Sequence, residues 1–514
     1  MSTASPGCAD MIEMVETFDA LLRHQAGARP AASAIQFETR VTDYATLDRQ
    51  ADAIAAVLSA NALPSGARIV YLGRNSDRCL ALLFGCARAG AVLTPVNWRL
   101  APDELRHIVE DAEAVLVFVT REHAAVPATL GLPGVDVDDD EAWEAWLTGG
   151  AGSPLPSPPA AGDVLVQIYS SGTTGRPKGV ELTHANMLAS ARHAATGVVG
   201  RWTAEDRMLV ALPVFHVAAL LCSSYALING ATIVLMREAD LGGIQDLIRR
   251  QAITKTGLVP TLIQLLLDWP DFEASAFATL HLIIYGGSGI APALLGRAFT
   301  ALECDFLQLY GASETCAVAT VLLPEDHRAG SNARLASCGR ALPGVAVRVV
   351  DADGADAAMN EPGEVLIRSP GIMKGYWHCP DSTAEVMVDG WYRSGDIGSL
   401  DADGYLTIRD RLRDMIISGG ENVYAIEVEN ALAAHPQIAE CAVIGTPDAI
   451  WGEAVTAIVV ARPGTMIEAE GVIAHARTLI AAYKCPRRVI FVDSLPKNAG
   501  GKILKAPLRE RYAI

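Results

Sequence analysis

Short apolar runs of β character alternate with helical patterns through the first three-fifths of this 514-residue chain. That alternation narrows the available folds more than any other feature. Residues 67–72 (ARIVYL) read as a strand, Asn75 or Ser76 caps a helix running to Ala89, Gly90 ends it, and residues 91–96 form the next strand. The unit recurs at residues 114–119, 165–169, 208–212, 232–236, 282–285 and 306–310, mostly with helices between. Near-continuous apolar strands separated by helices predict an α/β fold of mostly parallel, helix-covered sheets. The length exceeds what one compact core holds, so two or more domains are expected. From about residue 339 to 408 the pattern changes to short alternating strands, with D-A-D-G turn signals at 351–354 and 401–404. After Arg411 the remaining hundred or so residues read as a small α+β unit.

Composition excludes several classes. Lys and Arg number 41 against 59 Asp and Glu, a formal charge of −18. So acidic a chain lacks the basic face that nucleic acid or anionic lipid requires. The start of the chain has no basic segment followed by an apolar run, so no secretory signal is expected there. The longest apolar stretch, 214–228, is interrupted by His216, Ser223, Ser224 and Tyr225 and is short for a bilayer span. Ten cysteines show no C-x-x-C and no paired Cys/His spacing, which reads as buried free thiols in a reducing, cytoplasmic compartment.

Residues 149–162 (GGAGSPLPSPPAAG) form a Pro/Gly/Ser-rich loop or linker ahead of the strand at 165–169. That strand runs into Ser170, Ser171, Gly172, Thr173, Thr174, Gly175, Arg176, Pro177, Lys178 and Gly179. Hydroxyls and glycines let O–H and backbone N–H donors converge on phosphate oxygens, and Lys178 adds a point charge. The spacing is not that of a Walker A loop. By composition alone it serves equally as a structural turn.

The whole decapeptide resembles the phosphate loop of the adenylate-forming superfamily of acyl-CoA synthetases, luciferases and adenylation domains, usually Y-T-S-G-T-T-G-x-P-K-G. Other motifs of that superfamily follow in order. Pro213, Val214, Phe215 and His216 are similar to P-x-F-H, and Tyr310, Gly311, Ala312, Ser313, Glu314 and Thr315 to Y-G-x-T-E. Residues 390–396 (GWYRSGD) match G-W-x-x-(T/S)-G-D, and residues 411–414 (RLRD) with 418–422 (SGGEN) match the interdomain segment. Residues 496–502 (PKNAGGK) match the terminal lysine block. Ordered motifs spread over more than 330 residues cover essentially the whole chain. Mild departures are Arg413 where Asp or Lys is common, Asp410 for a frequent Gly, Ala425 for a frequent Pro, and Gly500 for Ser.

The resemblance implies roles. Glu314 would hold Mg²⁺, a hard cation suited to a carboxylate. Asp396 and Arg411 would hold the ribose of ATP, and Tyr310 with Gly311 and Ser313 would border the adenine, as would Gly287 and Ser288. His216 would wall the carboxylate pocket, and Lys502 would meet the charge that builds between carboxylate and α-phosphate. Arg413 would be the hinge. Gly419 and Gly420 would line the thiol passage, and Trp451, Tyr483 and Lys484 would contact CoA. Taken singly, each has a plainer reading: a solvated loop glutamate, a salt-bridge partner, a satisfied core histidine, a packed aromatic.

The implied fold is a large N-terminal domain, residues 1–411, of two helix-covered sheets with a β-rich subdomain at about 336–410, and a small mobile α+β lid at 412–514. The implied reaction is ATP-dependent formation of an acyl-AMP and then an acyl-CoA thioester. Pocket candidates at 216–220, 287–290 and 312–317 are mostly small or apolar and include no Lys or Arg for a second carboxylate. That suggests a roomy, uncharged cavity, while residues 216–220 (HVAAL), 409–429 (RDRLRDMIISGGENVYAIEVE) and 500–510 (GGKILKAPLRE) most resemble bacterial fatty-acyl-CoA ligases. The resemblance implies a medium- or long-chain fatty acid, with an aryl or hydroxycinnamic acid as the alternative. A stand-alone enzyme loading a carrier protein, or a nucleotide-binding scaffold without catalysis, comes behind these. Partners are the acid, ATP and CoA, with no nucleic acid and no integral membrane association; a homodimer is left open.

Overall fold

The computed structural model describes residues 15–170, 177–329, 332–412, 414–418, 421–448, 450–497 and 503–512. Among these residues the chain forms four sheets. One has seven strands, and five of them (Val164–Ser170, Val92–Val96, Arg68–Leu72, Leu116–Val119 and Gly134–Asp136) run parallel. Another has nine, in which Asp305–Tyr310, Leu282–Gly286, Lys255–Leu258, Arg207–Val210, Thr232–Leu235 and Ser33–Phe37 are successive parallel neighbours. The expected mostly parallel, helix-covered architecture is therefore present.

Local chemistry explains the punctuation. The helix Asp77–Ala89 begins at Ser76, whose hydroxyl accepts the Arg78 N–H at 3.3 Å, and stops at Gly90 in the left-handed region (φ 65°). Residues 149–162 carry no strand or helix, as their Pro/Gly content predicts. The helix Val217–Ile228 is buried on nearly every side, the mark of a core helix. No described helix is long and apolar enough to cross a membrane.

Several strands lie outside the apolar runs read from the sequence, two of them with consequences for the site and the core. Lys178–Thr183 returns antiparallel to Val164–Ser170, so Ser170 and Lys178 of the phosphate-loop candidate are cross-strand partners. Lys255–Leu258 is central despite its lysine, whose ammonium lies 3.3 Å from Asp206 and over the Trp202 ring.

A third sheet is antiparallel throughout: Ala346–Val350, Gly363–Arg368, Trp391–Leu400, Met387–Val388 and Leu406–Arg411. Both D-A-D-G segments are turns, with Gly354 and Gly404 at φ 82° and 80°. The C-terminal sheet contains Ile416–Ser418, Glu421–Val423, Ile438–Asp448, Gly452–Ala461 and Arg488–Phe491. The nine described cysteines are free, six of them buried. Burial pushes the thiols of Cys222, Cys316 and Cys338 up to about 12.

The parallel strands Leu282–Gly286 and Asp305–Tyr310 end side by side, where open α/β sheets bind ligands. A Cβ on Gly286 would lie 2.4 Å from the Leu309 carbonyl oxygen. Gly286→Ala is therefore expected to splay these strands, costing roughly 1–3 kcal/mol by urea unfolding and weakening ATP binding by calorimetry.

Candidate active site

Tyr310 closes the strand Asp305–Tyr310, and its hydroxyl donates to Asp396 Oδ2 at 2.7 Å. Asp396 and Arg411 are cross-strand partners in the third sheet, and Arg411 Nε lies 2.6 Å from Asp396 Oδ1. One carboxylate, 6% exposed, thus joins two sheets. Burial, reinforced by the Asp396 charge, holds the Tyr310 phenol well above its ordinary range, so it stays a donor.

After Tyr310 the chain turns tightly. Gly311 packs against backbone, since a Cβ there would lie 2.6 Å from the Ala317 carbonyl carbon. Cys316 and Ala317 both take positive φ (55° and 69°), a rare adjacent pair for residues other than glycine. The short helix Ser313–Thr315 within this turn carries Glu314, which is 8% exposed. Its Oε1 accepts from the Tyr376 hydroxyl at 2.9 Å and from Ser170 Oγ at 3.4 Å. Lys178, across the hairpin from Ser170, donates to Ser382 Oγ at 2.9 Å and lies over the Tyr376 ring at 5.2 Å. Ser170, Lys178, Glu314 and Tyr376 therefore form one cluster. Tyr376 and Ser382 were missed by sequence reasoning. The only available signal was a Gly-Tyr pair in a two-residue strand, Gly375–Tyr376.

His216 immediately precedes the helix Val217–Ile228 and makes no side-chain cap bond. Its Nε2 is buried without a hydrogen-bond partner among the described residues. Burial, helped by the Arg99 charge, lowers this imidazole to about 4. Arg99 was also missed as a neighbour of this pocket; its guanidinium pairs with Glu238 at 3.1 Å. Gly287 takes φ 79° with nothing within 4 Å of a Cβ position, and Ser288 beside it is exposed.

The remaining candidates make their described contacts within the C-terminal part. Trp451 is 38% exposed, and the Arg487 guanidinium stacks 3.6 Å from its ring centre. Asp448 shapes that loop by accepting the N–H groups of Ile450 and Trp451 at 3.0 and 3.2 Å. Tyr483 is exposed, and Lys484 is held by both oxygens of Glu427 at 2.6 and 2.8 Å. Asp410, 1% exposed, accepts the N–H of Arg411 at 2.7 Å and that of Ala425 across the interdomain segment. Ser171, Gly172, Thr173, Thr174, Gly175, Arg413, Gly419, Gly420 and Lys502 lie outside the described residues.

The arrangement offers a hydroxyl and a lysine on paired strands and a buried carboxylate with one oxygen unengaged among the described residues, beside an Asp–Arg pair suited to a diol. The AMP-binding enzyme family matches residues 22–377, and the C-terminal domain of AMP-binding enzymes matches 427–502. The chain belongs to the AMP-binding enzyme family. It is an AMP-forming acid–thiol ligase of the acyl-CoA synthetase kind. The fatty acid–[acyl-carrier-protein] ligase ScoC of Streptomyces coeruleorubidus is 39% identical over 94% of each chain. A feruloyl-CoA synthase of Amycolatopsis is 37% identical over 95% of this chain and 97% of its own. ATP-bound MatB from Rhodopseudomonas palustris superposes with a TM-score of 0.87 at 31% identity, covering 96% of this chain and 98% of that one.

Burial also lowers His184 and His193 to about 4, and His184 Nδ1 accepts the Phe18 N–H. The unfolded chain therefore binds more protons than the native state between about 6.5 and 4. The stabilisation is complete above pH 6.5 and is lost as pH falls toward 4. Urea unfolding across that range is expected to show the decline, and His216→Gln to flatten part of it.

Proposed function

We propose that the protein activates a carboxylic acid with ATP and passes the acyl group to CoA, with a medium- or long-chain fatty acid as the acid. The observation that carries this reading is the convergence of the Ser170–Lys178–Glu314–Tyr376 cluster and the Tyr310–Asp396–Arg411 group at the ends of parallel strands.

In the first step a carboxylate oxygen attacks the α-phosphorus of ATP and pyrophosphate leaves, giving an acyl-AMP anhydride. Catalysis of this displacement is positioning plus charge stabilisation. The hairpin from Ser170 to Lys178 would take the phosphates, Asp396 and Arg411 the ribose hydroxyls, and Tyr310 the edge of the base. The neutral His216 imidazole would form the wall beside the acid, contributing no charge. Lys502, whose role rests on the terminal lysine block, would offset the charge growing between the reacting oxygens. In the second step the thiolate attacks the acyl carbon and AMP departs, with Gly419 and Gly420 lining the approach and Trp451, Tyr483 and Lys484 toward the nucleotide end of CoA.

Glu314 suits Mg²⁺. Its Oε2 accepts from no donor among the described residues, and Mg²⁺ characteristically takes one or two carboxylates together with phosphates and waters. Bound there, the ion would supply charge neutralisation of the polyphosphate. Lys484, already neutralised by Glu427, would give a directed hydrogen bond more than net charge. The break between the two family matches, at 377 and 427, supports a platform of residues 1–411 and a lid of 412–514 pivoting at Arg413.

Two other readings have specific support. The feruloyl-CoA synthase at 37% identity favours an aryl acid. The carrier-protein ligase at 39% identity favours a protein-borne thiol. Thioester formation from fatty acids of graded length, benzoates and cinnamates, each with CoA and with a holo carrier protein, separates them. No thioester from any acid with CoA would sink the CoA-ligase reading. Lys502→Ala is expected to slow acyl-adenylate formation, followed by pyrophosphate release, by roughly 10²–10³-fold. Capture of a supplied acyl-adenylate by CoA should be nearly unchanged, and equal loss of both half-reactions would contradict the assigned role.

A further inference from the structure

On the helix Val217–Ile228, which starts at His216, Ala218, Cys222 and Tyr225 stand at i, i+4 and i+7 and so share one face. Ala218 is half-exposed at the first turn, Cys222 is 5% exposed, and Tyr225 is fully buried. Opposite Cys222 the central strand has Gly257, where a Cβ would lie 2.8 Å from the Cys222 sulfur. Inward of His216, then, this face carries small side chains as far as Tyr225, and the glycine lets the strand pack closely on Cys222. Side chains on a helix lean toward its N-terminus, so the phenol points back along this face.

The Tyr225 hydroxyl has no hydrogen-bond partner among the described residues. Other fully buried tyrosines differ: Tyr44 donates to the Ala231 carbonyl at 2.8 Å, Tyr71 to that of Arg74 at 2.5 Å, and Tyr285 meets His327 Nε2 at 2.9 Å. Ser223 and Ser224 on the same helix are satisfied by the Ala219 and Leu220 carbonyls. The groups whose charge Tyr225 would sense are the buried thiols of Cys222 and Cys316, both protonated at neutral pH, and the Trp202 ring packs edgewise against it at 6.0 Å. A phenylalanine would fill this apolar surrounding without burying an oxygen. A buried donor left unpaired is destabilising and calls for a partner.

We propose that Tyr225 is a specificity-determining residue whose hydroxyl forms the polar floor of the acyl pocket and takes an oxygen on the far end of the acid. This rests on the ligase reading and on His216 lying beside the carboxylate. Seven helical steps take Ala218 to Tyr225, roughly 10 Å along the axis, and the backward lean of the phenol shortens that reach. The oxygen recognised would therefore stand within about that distance of the carboxyl. A para-oxygenated aryl acid or an ω-hydroxylated acid of medium chain has this shape, and a plain alkyl tail leaves the hydroxyl unmet.

The test uses pairs of acids differing by one oxygen, 4-hydroxycinnamate against cinnamate and 8-hydroxyoctanoate against octanoate, with kcat/KM measured for the wild-type protein and Tyr225→Phe. Wild type should favour the oxygenated member of at least one pair by about three- to tenfold, as one neutral hydrogen bond allows. Tyr225→Phe should abolish that preference while leaving the parent acid unchanged or improved. The pair that responds tells an aryl from an aliphatic tail. Turnover without preference, or a preference that survives Tyr225→Phe, overturns the inference alone. Failure of all four acids while others of the wider acid panel form thioesters overturns the inference alone, and failure of every acid in that panel, with either thiol acceptor, overturns the ligase reading and the inference with it. Thermal unfolding of the ligand-free protein gives a second readout. Tyr225→Phe should melt at or above wild type, and a lower melting temperature would show that the hydroxyl is already bonded and overturn the proposal.

Discussion

A buried carboxylate is tolerated only where donors meet its oxygens, and Asp396 satisfies that condition by reaching between sheets. Tyr310, last residue of a strand in the nine-stranded sheet, supplies one donor, and Arg411, in the antiparallel sheet, supplies the other. The bond fixes where the third sheet sits over the ends of the parallel strands. Tyr310 also begins the turn that presents Glu314 four residues later, and Glu314 is tied through Tyr376 and Ser170 to the hairpin that pairs Ser170 with Lys178. The geometry of the cleft thus follows from one shared anion, with the two positive-φ residues at 316 and 317 bending the chain to suit.

Local signals made much of this legible. Ser76 and Gly90 bound a helix because a hydroxyl and a left-handed glycine are what helix ends require, and the sequence shows both. Near-continuous apolar runs marked most of the parallel strands for the same reason, since both faces of such strands are covered. What stayed hidden depends on distant partners. Lys255 looks like a surface residue until Asp206 and Trp202 close over it. Tyr376 is an ordinary tyrosine in a two-residue strand until the fold sets its hydroxyl on Glu314. Asp410 stood out only as a departure from a common glycine, and its bond to Ala425 belongs to tertiary structure. Within the site, the ordered motifs singled out Tyr310, Glu314, Asp396 and Arg411, while Arg99 and Tyr376 carry no motif at all.

The nucleotide candidates and the face from Ala218 to Tyr225 occupy separate elements. The nucleotide candidates lie on loops and strand ends that three sheets bring together, where the surrounding framework fixes their positions. The face from Ala218 to Tyr225 lies on a single buried helix. Its residues contribute none of the bonds to Glu314 or Asp396. Substitutions along that helix therefore remove none of the bonds that hold Glu314 and Asp396.

The buried cysteines bear on the protein's own chemical safety. An acyl-adenylate is an electrophile that any nearby thiolate will open, and Cys316 is only two residues beyond Glu314. Its sulfur is fully enclosed and its thiol is pushed up to about 12, so at neutral pH almost none of it is ionised. Cys222 and Cys338 are protected by the same desolvation. Desolvation thus keeps these three thiols in the form that reacts least with an activated acyl group.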